Sequence, residues 1–205
     1  MILQDRFLQL CILFTDDQTL IQSLWKEIEK KHSEKGRYYH NLSHLENMFQ
    51  ELETVKPHIS DFTTVSFSVF YHDIIYDATS RSNEEKSAGT AEKRLKEIGV
   101  PHDTILKISK QILATKSHQR SEDEDTHYLL DADLSILGKD LATYLAYTKM
   151  IRKEYSIYPD FLYKPGRKKV LQHFLELEDI FKTDYFKGQY EIQSKKNITA
   201  EIQLL

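Results

Sequence analysis

The chain has little that could hold it together other than a packed interior. A single cysteine, Cys11, excludes an internal disulfide framework and fits a reducing compartment. It sits among Leu10, Ile12, Leu13 and Phe14, which suits a small core residue better than a nucleophile. Glycine and proline are scarce, at 6 and 4 of 205 residues, and no repeats or low-complexity tracts occur. No stretch approaches the roughly 18 uninterrupted apolar residues of a membrane-spanning helix. Residues 1–14 are apolar-rich, but Asp5 and Arg6 interrupt them and no basic region precedes them, so they do not read as a signal peptide. The net charge is only −4 and the basic residues are scattered, which gives no nucleic-acid signature. The expectation is a soluble cytoplasmic protein with one domain over residues 1–205, long enough to bury a sizeable core.

What is there is helical periodicity. Leu20, Ile21, Leu24, Trp25 and Ile28 recur at spacings of three and four after Asp16 or Asp17 as a cap. Asn41 is placed to cap a helix carrying Leu42, Leu45, Met48, Phe49 and Leu52, and Asp61 to cap a mostly apolar run over 61–76. That run is rich in β-branched and aromatic residues, but its length favours helix over strand. Ser82 and Glu85 have capping-box spacing and open a helix to Ile98, closed by Gly99. Further helices are expected over 102–115, over 122–137 up to Gly138, from Asp140 to about Tyr158, and over 167–181 after a turn bracketed by Pro159 and Pro165-Gly166. The tail, 183–205, reads as a weaker helix. The class is all-α, with eight or nine helices.

Within the 61–76 run lies His72-Asp73. A carboxylate among Phe70, Tyr71, Ile74 and Ile75 needs a partner, because burying it alone is very costly. A metal ion is one such partner. The dipeptide alone is weak, since this composition produces on the order of one by chance. A second copy, His102-Asp103, follows Gly99-Val100-Pro101 at an expected helix start, where Asp103 would meet the free N–H groups of the first turn. Histidine and carboxylate recur elsewhere: His44 upstream, and Asp131 and Asp133 in another mostly apolar run. Such a donor set suits a first-row divalent ion with positions left for water or substrate.

The series His44, His72-Asp73, Asp133 resembles the H…HD…D signature of the HD superfamily of metal-dependent phosphohydrolases. The surroundings are similar to a small bacterial branch of that superfamily: Arg37-Tyr38-Tyr39-His40-Asn41-Leu42-Ser43-His44, Phe70-Tyr71-His72-Asp73-Ile74-Ile75-Tyr76-Asp77, Asn83-Glu84-Glu85-Lys86-Ser87-Ala88 and Leu130-Asp131-Ala132-Asp133-Leu134-Ser135-Ile136-Leu137-Gly138. The resemblance covers nearly the whole chain and implies an HD-type helical bundle. It implies that His44, His72, Asp73 and Asp133 hold one divalent ion (Mn, Mg, Co, Ni, Fe or Zn), with a second left open. Of the two aspartates in the last segment it favours Asp133. It also implies hydrolysis of a nucleotide or other small phosphoester by attack of metal-activated water on phosphorus.

Other residues are candidates for supporting roles. Asp77, four residues after Asp73, would share its helix face and could serve as base. Glu84, Glu85 and His40 could reach the same site. Phosphoryl transfer calls for cations, and Arg37, Arg152 and Arg167 are candidates, with Tyr155 one turn from Arg152 on a tyrosine-rich helix. His118 could bind metal or phosphate. Two alternatives stand beside the hydrolase: a non-catalytic nucleotide- or partner-binding module with a structural metal, and a di-iron oxygenase. The substrate and the physiological metal stay open, and so does a homodimer.

Overall fold

The computed structural model of the protein describes residues 2–205. Among them are ten α-helices and no strand: α1 (Leu3–Cys11), α2 (Gln18–His32), α3 (Leu42–Val55), α4 (Phe62–Tyr71), α5 (Asn83–Glu97), α6 (His102–Ala114), α7 (Glu124–Leu134), α8 (Leu141–Glu154), α9 (Asp160–Glu176) and α10 (Asp184–Leu204). Short 3-10 turns follow α3 and α7, at Lys56–His58 and Ser135–Gly138.

Helix α4 is the centre. Every residue from Thr64 to Tyr71 is buried, and the helix packs against α1, α3, α5, α6 and α7. A helix apolar on all sides has no other stable place. Its serines are paired inside: the Ser66 hydroxyl donates to the Phe62 carbonyl at 2.6 Å, and Ser68 donates to Gln111 Oε1 at 2.6 Å, while the Tyr71 hydroxyl is buried without a partner. Among the described residues no helix is long and apolar enough to cross a membrane.

The expected caps form. Asp17 accepts from Leu20 N, Asn41 from Ser43 N, Asp61 from Thr64 N, and Asp140 from Ala142 N and Thr143 N. Gly99 ends α5 with φ +81°; Val100 N donates to the Leu95 carbonyl and Gly99 N to the Lys96 carbonyl, the paired bonds of a left-handed helix end. Cys11 is buried, and burial pushes its thiol up to about 12, so it is an inert core residue.

Several boundaries differ from expectation, each for a local reason. Residues 3–11 form a helix because Leu3, Phe7 and Cys11 recur every four residues and bury together. The 61–76 run stops being helical at Tyr71. The capping box at Ser82 does not form: the Ser82 hydroxyl faces Ser80, and Glu85 pairs with Lys116. The turn expected between Pro159 and Pro165 is instead the first part of α9. Pro165 deprives that helix of a single backbone bond, and the chain continues through it. Gly138 does more than end a helix: a Cβ there would lie 2.8 Å from the Tyr190 carbonyl oxygen and 2.9 Å from Tyr190 Cα, so the glycine lets α10 pack directly on the 135–138 turn. That contact and the Thr183 cap explain why the tail is a full helix and not a weak one.

Candidate metal centre

The end of α4 builds the site. His72 is its C-terminal cap, with its N–H on the Ser68 carbonyl at 2.9 Å, and the chain then turns sharply. The carbonyls left free by that turn are met by Arg37. Its guanidinium donates to the carbonyls of Asp73 at 2.6 Å, Ile74 at 2.9 Å and His40 at 3.2 Å. From the other side, the Ser87 hydroxyl bonds Ile75 N at 3.1 Å and O at 3.2 Å. Because the helix has ended, His72 and Asp73 need not diverge as adjacent helical residues do. Asp73 Oδ2 lies 3.2 Å from His72 Nε2.

Helices α3 and α7 bring the other two. His44 Nε2 is 3.2 Å from His72 Nε2 and 4.0 Å from Asp73 Oδ2. Asp133 Oδ1 is 3.1 Å from His44 Nε2 and 3.8 Å from His72 Nε2. His44, His72 and Asp133 each offer one donor atom within 4.8 Å of the others. Three of the four residues singled out as ligands are thus brought together, and Asp73 lies beside the two histidines but outside that set. The two imidazole Nε2 atoms face each other at hydrogen-bond distance, a gap that a shared proton or a bound ion can bridge. His72 Nδ1 already donates to the Val69 carbonyl at 2.9 Å, which leaves Nε2 as the ligating atom. A six-coordinate ion with bonds of about 2.1 Å sets neighbouring donors about 3.0 Å apart and opposed ones about 4.2 Å apart. The separations among His44, His72 and Asp133, from 3.1 to 3.8 Å, fall in that range, as do those of Asp73 from the two histidines. The donor set therefore fits a divalent metal.

The two histidines are buried, 2% and 1% exposed, while Asp73 and Asp133, at 18% and 15%, are partly exposed. Burial disfavours a charged His72, but Asp73 and Asp133 outweigh it and push the ring up to about 9. Burial likewise disfavours ionised Asp73 and Asp133; the neighbouring histidines prevail and hold both carboxyls below the usual range.

Around the cluster, His118 Nε2 lies 2.9 Å from the second oxygen of Asp133. His118 has φ +51°, a strained backbone for a residue with a Cβ, at the turn after α6. It therefore meets the site through Asp133. His40 Nδ1 lies 2.6 Å from Glu154 Oε2, and its ring stacks on Tyr76 at 4.2 Å. Burial works against protonated His40, but Asp73 and Glu154 hold its pKa above the ordinary value.

Sequence reasoning passed over Glu154. Its side chain is fully buried, and Oε1 accepts the N–H groups of Tyr39 and His40 at 2.8 and 2.9 Å, while Tyr76 donates to Oε2 at 3.0 Å. The signal was readable: Tyr144, Tyr147, Ile151 and Glu154 are the buried face of α8, which sets an acid on an apolar stripe.

Other candidates are not brought to the cluster. Asp77 cannot share a helix face with Asp73, because α4 has ended; it is exposed and accepts from Thr79 N at 2.8 Å. Glu85 is exposed and tied to Lys116, and Glu84 begins α5 beside it. Arg37 is spent on backbone carbonyls. Arg152 closes the end of α8, donating to the Tyr155 and Tyr158 carbonyls at 3.0 Å and to Asp160 at 2.8 Å. Arg167 is buried against Glu201 at 2.8 Å. Tyr155 stacks with Tyr158 and packs on Tyr163. Asp131, fully buried, accepts from Lys182 N at 2.7 Å and from Thr183 N and Oγ1 at 2.8 Å, which ties the start of α10 to α7. Of the two aspartates, Asp133 is the one at the cluster.

The chain matches no protein-family model, no curated protein and no solved structure.

Proposed function

We propose that this chain is an HD-type metal-dependent phosphohydrolase that cleaves a nucleotide or another small phosphoester. One observation carries the reading: two imidazole Nε2 atoms 3.2 Å apart, buried, and flanked by the partly exposed Asp73 and Asp133 carboxylates. When bound there, a divalent ion supplies Lewis acidity toward a phosphoryl oxygen and lowers the pKa of water.

The chain's own residues supply the rest. His44 and His72 would hold the ion through Nε2, and Asp73 and Asp133 would offset its charge. His118 holds the outer oxygen of Asp133 and so fixes which oxygen faces inward. Arg37 and Ser87 fix the turn that carries Asp73. His40 is held by Glu154 at Nδ1, which leaves Nε2 to deliver a proton to a leaving oxygen. Since Arg37, Arg152 and Arg167 are all engaged, phosphate charge is met by the ion and by His40 and His118, not by arginine.

The test is hydrolysis of a panel of nucleotides and sugar phosphates after chelation. Mn(II), Co(II), Ni(II) or Mg(II) should restore turnover, and Asp73→Ala should remove it. Retained turnover in that variant refutes the assignment. The engaged arginines also favour a second reading, a non-catalytic nucleotide- or partner-binding module with a structural metal. Water proton relaxation with bound Mn(II) separates the two: an ion with no exchangeable water supports the module.

A further inference from the structure

On the far side of the turn that carries Asp73, a groove of about 410 Å³ runs between α2 and α5. Ile74 and Ile75 form its floor. Its walls carry Lys31, Lys86, Lys93 and Arg94 against a single acid, Glu27. Arg94 is neutralised by Glu27 at 2.7 Å and Glu97 at 3.0 Å, and Lys31 pairs with Glu34 at 2.9 Å. Lys86 reaches only the Ser80 hydroxyl, at 3.4 Å, and among the described residues Lys93 enters no ion pair. Neither lysine on this wall is therefore ion-paired, with Asp77 acting on Lys86 only from a distance.

A second observation points the same way. Gly89 lies in the groove, in the interior of α5. A helix-interior glycine costs about 1 kcal/mol relative to alanine. It is tolerated where packing forbids a Cβ or where something approaches the backbone closely. Packing does not forbid it here: a Cβ at Gly89 would meet nothing within 4 Å, as also at Gly166 in α9 and Gly188 in α10, so what sets Gly89 apart is its place in the groove. What the glycine leaves open is the groove itself, between Lys86 one turn before and Lys93 one turn after.

We propose that this groove binds a small polyanion, a chain of phosphates either free or as the tail of a nucleotide. Its volume lies within the range of small-molecule pockets. Lys86 and Lys93 supply the charge, and the bare backbone at Gly89 admits close approach. The site is separate from the histidine–aspartate cluster and does not depend on its chemistry.

The experiment is titration calorimetry on the full chain without added metal, near physiological ionic strength, with inorganic tripolyphosphate and ATP as probes and orthophosphate as reference. Tripolyphosphate and ATP should bind with one site per chain, both more tightly than orthophosphate. Equal affinities mean that the phosphate chain alone is read; tighter ATP means that the nucleoside adds contacts. The double variant Lys86→Glu/Lys93→Glu should weaken binding by roughly tenfold or more. Gly89→Leu should weaken it to a similar degree while raising the melting temperature, since it fills the groove and improves the helix; lost binding then cannot be blamed on unfolding. Asp73→Ala should bind the probes as the parent does. Undiminished binding in the charge-reversed or Gly89→Leu protein overturns the proposal. So does no binding by the parent, or loss of binding in Asp73→Ala.

Discussion

The chain contains the dipeptide His-Asp twice, and the two copies have opposite fates. His72-Asp73 closes the most buried helix of the fold, and its side chains converge with His44 and Asp133. His102-Asp103 opens α6, and both residues are exposed. There Asp103 is an acid in a first turn, where it favours the helix by its charge. The residue types are identical; what differs is the water taken away and the partners brought in. A second comparison isolates the partners. His32 and His72 are equally buried, at 1% exposure. His72 has two carboxylates beside it and is pushed up to about 9. His32 has only the Ile28 carbonyl on Nδ1 at 2.9 Å, with Nε2 unpartnered, and burial pushes it down to about 3. Burial alone makes a neutral histidine; burial with acids makes a site that wants positive charge, whether a proton or a metal.

The strongest way to break the first comparison is substitution of the two aspartates. Asp73→Ala should lower affinity for Mn(II) by at least roughly a hundredfold, read by calorimetry. Asp103→Ala should leave metal affinity unchanged. Equal effects would mean that burial does not distinguish the pairs.

His32 tests the second comparison through pH. Its folded pKa, about 3, lies below the ordinary 6.5, so the unfolded chain takes up a proton that the folded one refuses as pH falls from 6.5 toward 3. Stability from this group is present above 6.5 and lost on acidification, on the order of 3–5 kcal/mol across the window. Denaturant melts at several pH values should show that slope, and His32→Leu should flatten it. An unchanged slope in the variant would assign the acid sensitivity to other groups.

Asp131 and Asp133 sharpen the contrast at a spacing of two residues. Asp131→Ala leaves the N–H groups of Lys182 and Thr183 and the Thr183 hydroxyl without their acceptor. A loss of about 2–3 kcal/mol in folding stability is expected with metal affinity retained. Loss of metal binding in the folded variant would contradict the division of labour. The smallest effect belongs to Asp103→Ala, about 0.5 kcal/mol, as for an exposed acid at a helix start.

Much of this was legible in the sequence, for identifiable reasons. Caps at Asn41 and Asp61, one at Asp16 or Asp17, the helix start at Asp140 and the stop at Gly99 follow from local backbone chemistry and are legible in the sequence. The four residues of the cluster were legible because polar groups in apolar runs are conspicuous. What escaped depends on long-range partners. The end of α4 at Tyr71 is fixed by Arg37, 36 residues before Asp73, and it removes Asp77 from the face where uninterrupted helix would have put it. The arginines read as phosphate ligands because they are cations; their engagement with carbonyls and with Asp160 and Glu201 lies in the tertiary fold alone. Glu154 was passed over beside the more conspicuous Arg152 and Tyr155, though its position on the buried face of α8 marked it.

The most direct test of the central claim is anomalous diffraction from crystals soaked in Mn(II). The account predicts one strong peak within about 2.3 Å of His44 Nε2, His72 Nε2 and a carboxylate oxygen of each of Asp73 and Asp133. A peak seated elsewhere, or no peak at that cluster at saturating metal, would contradict it.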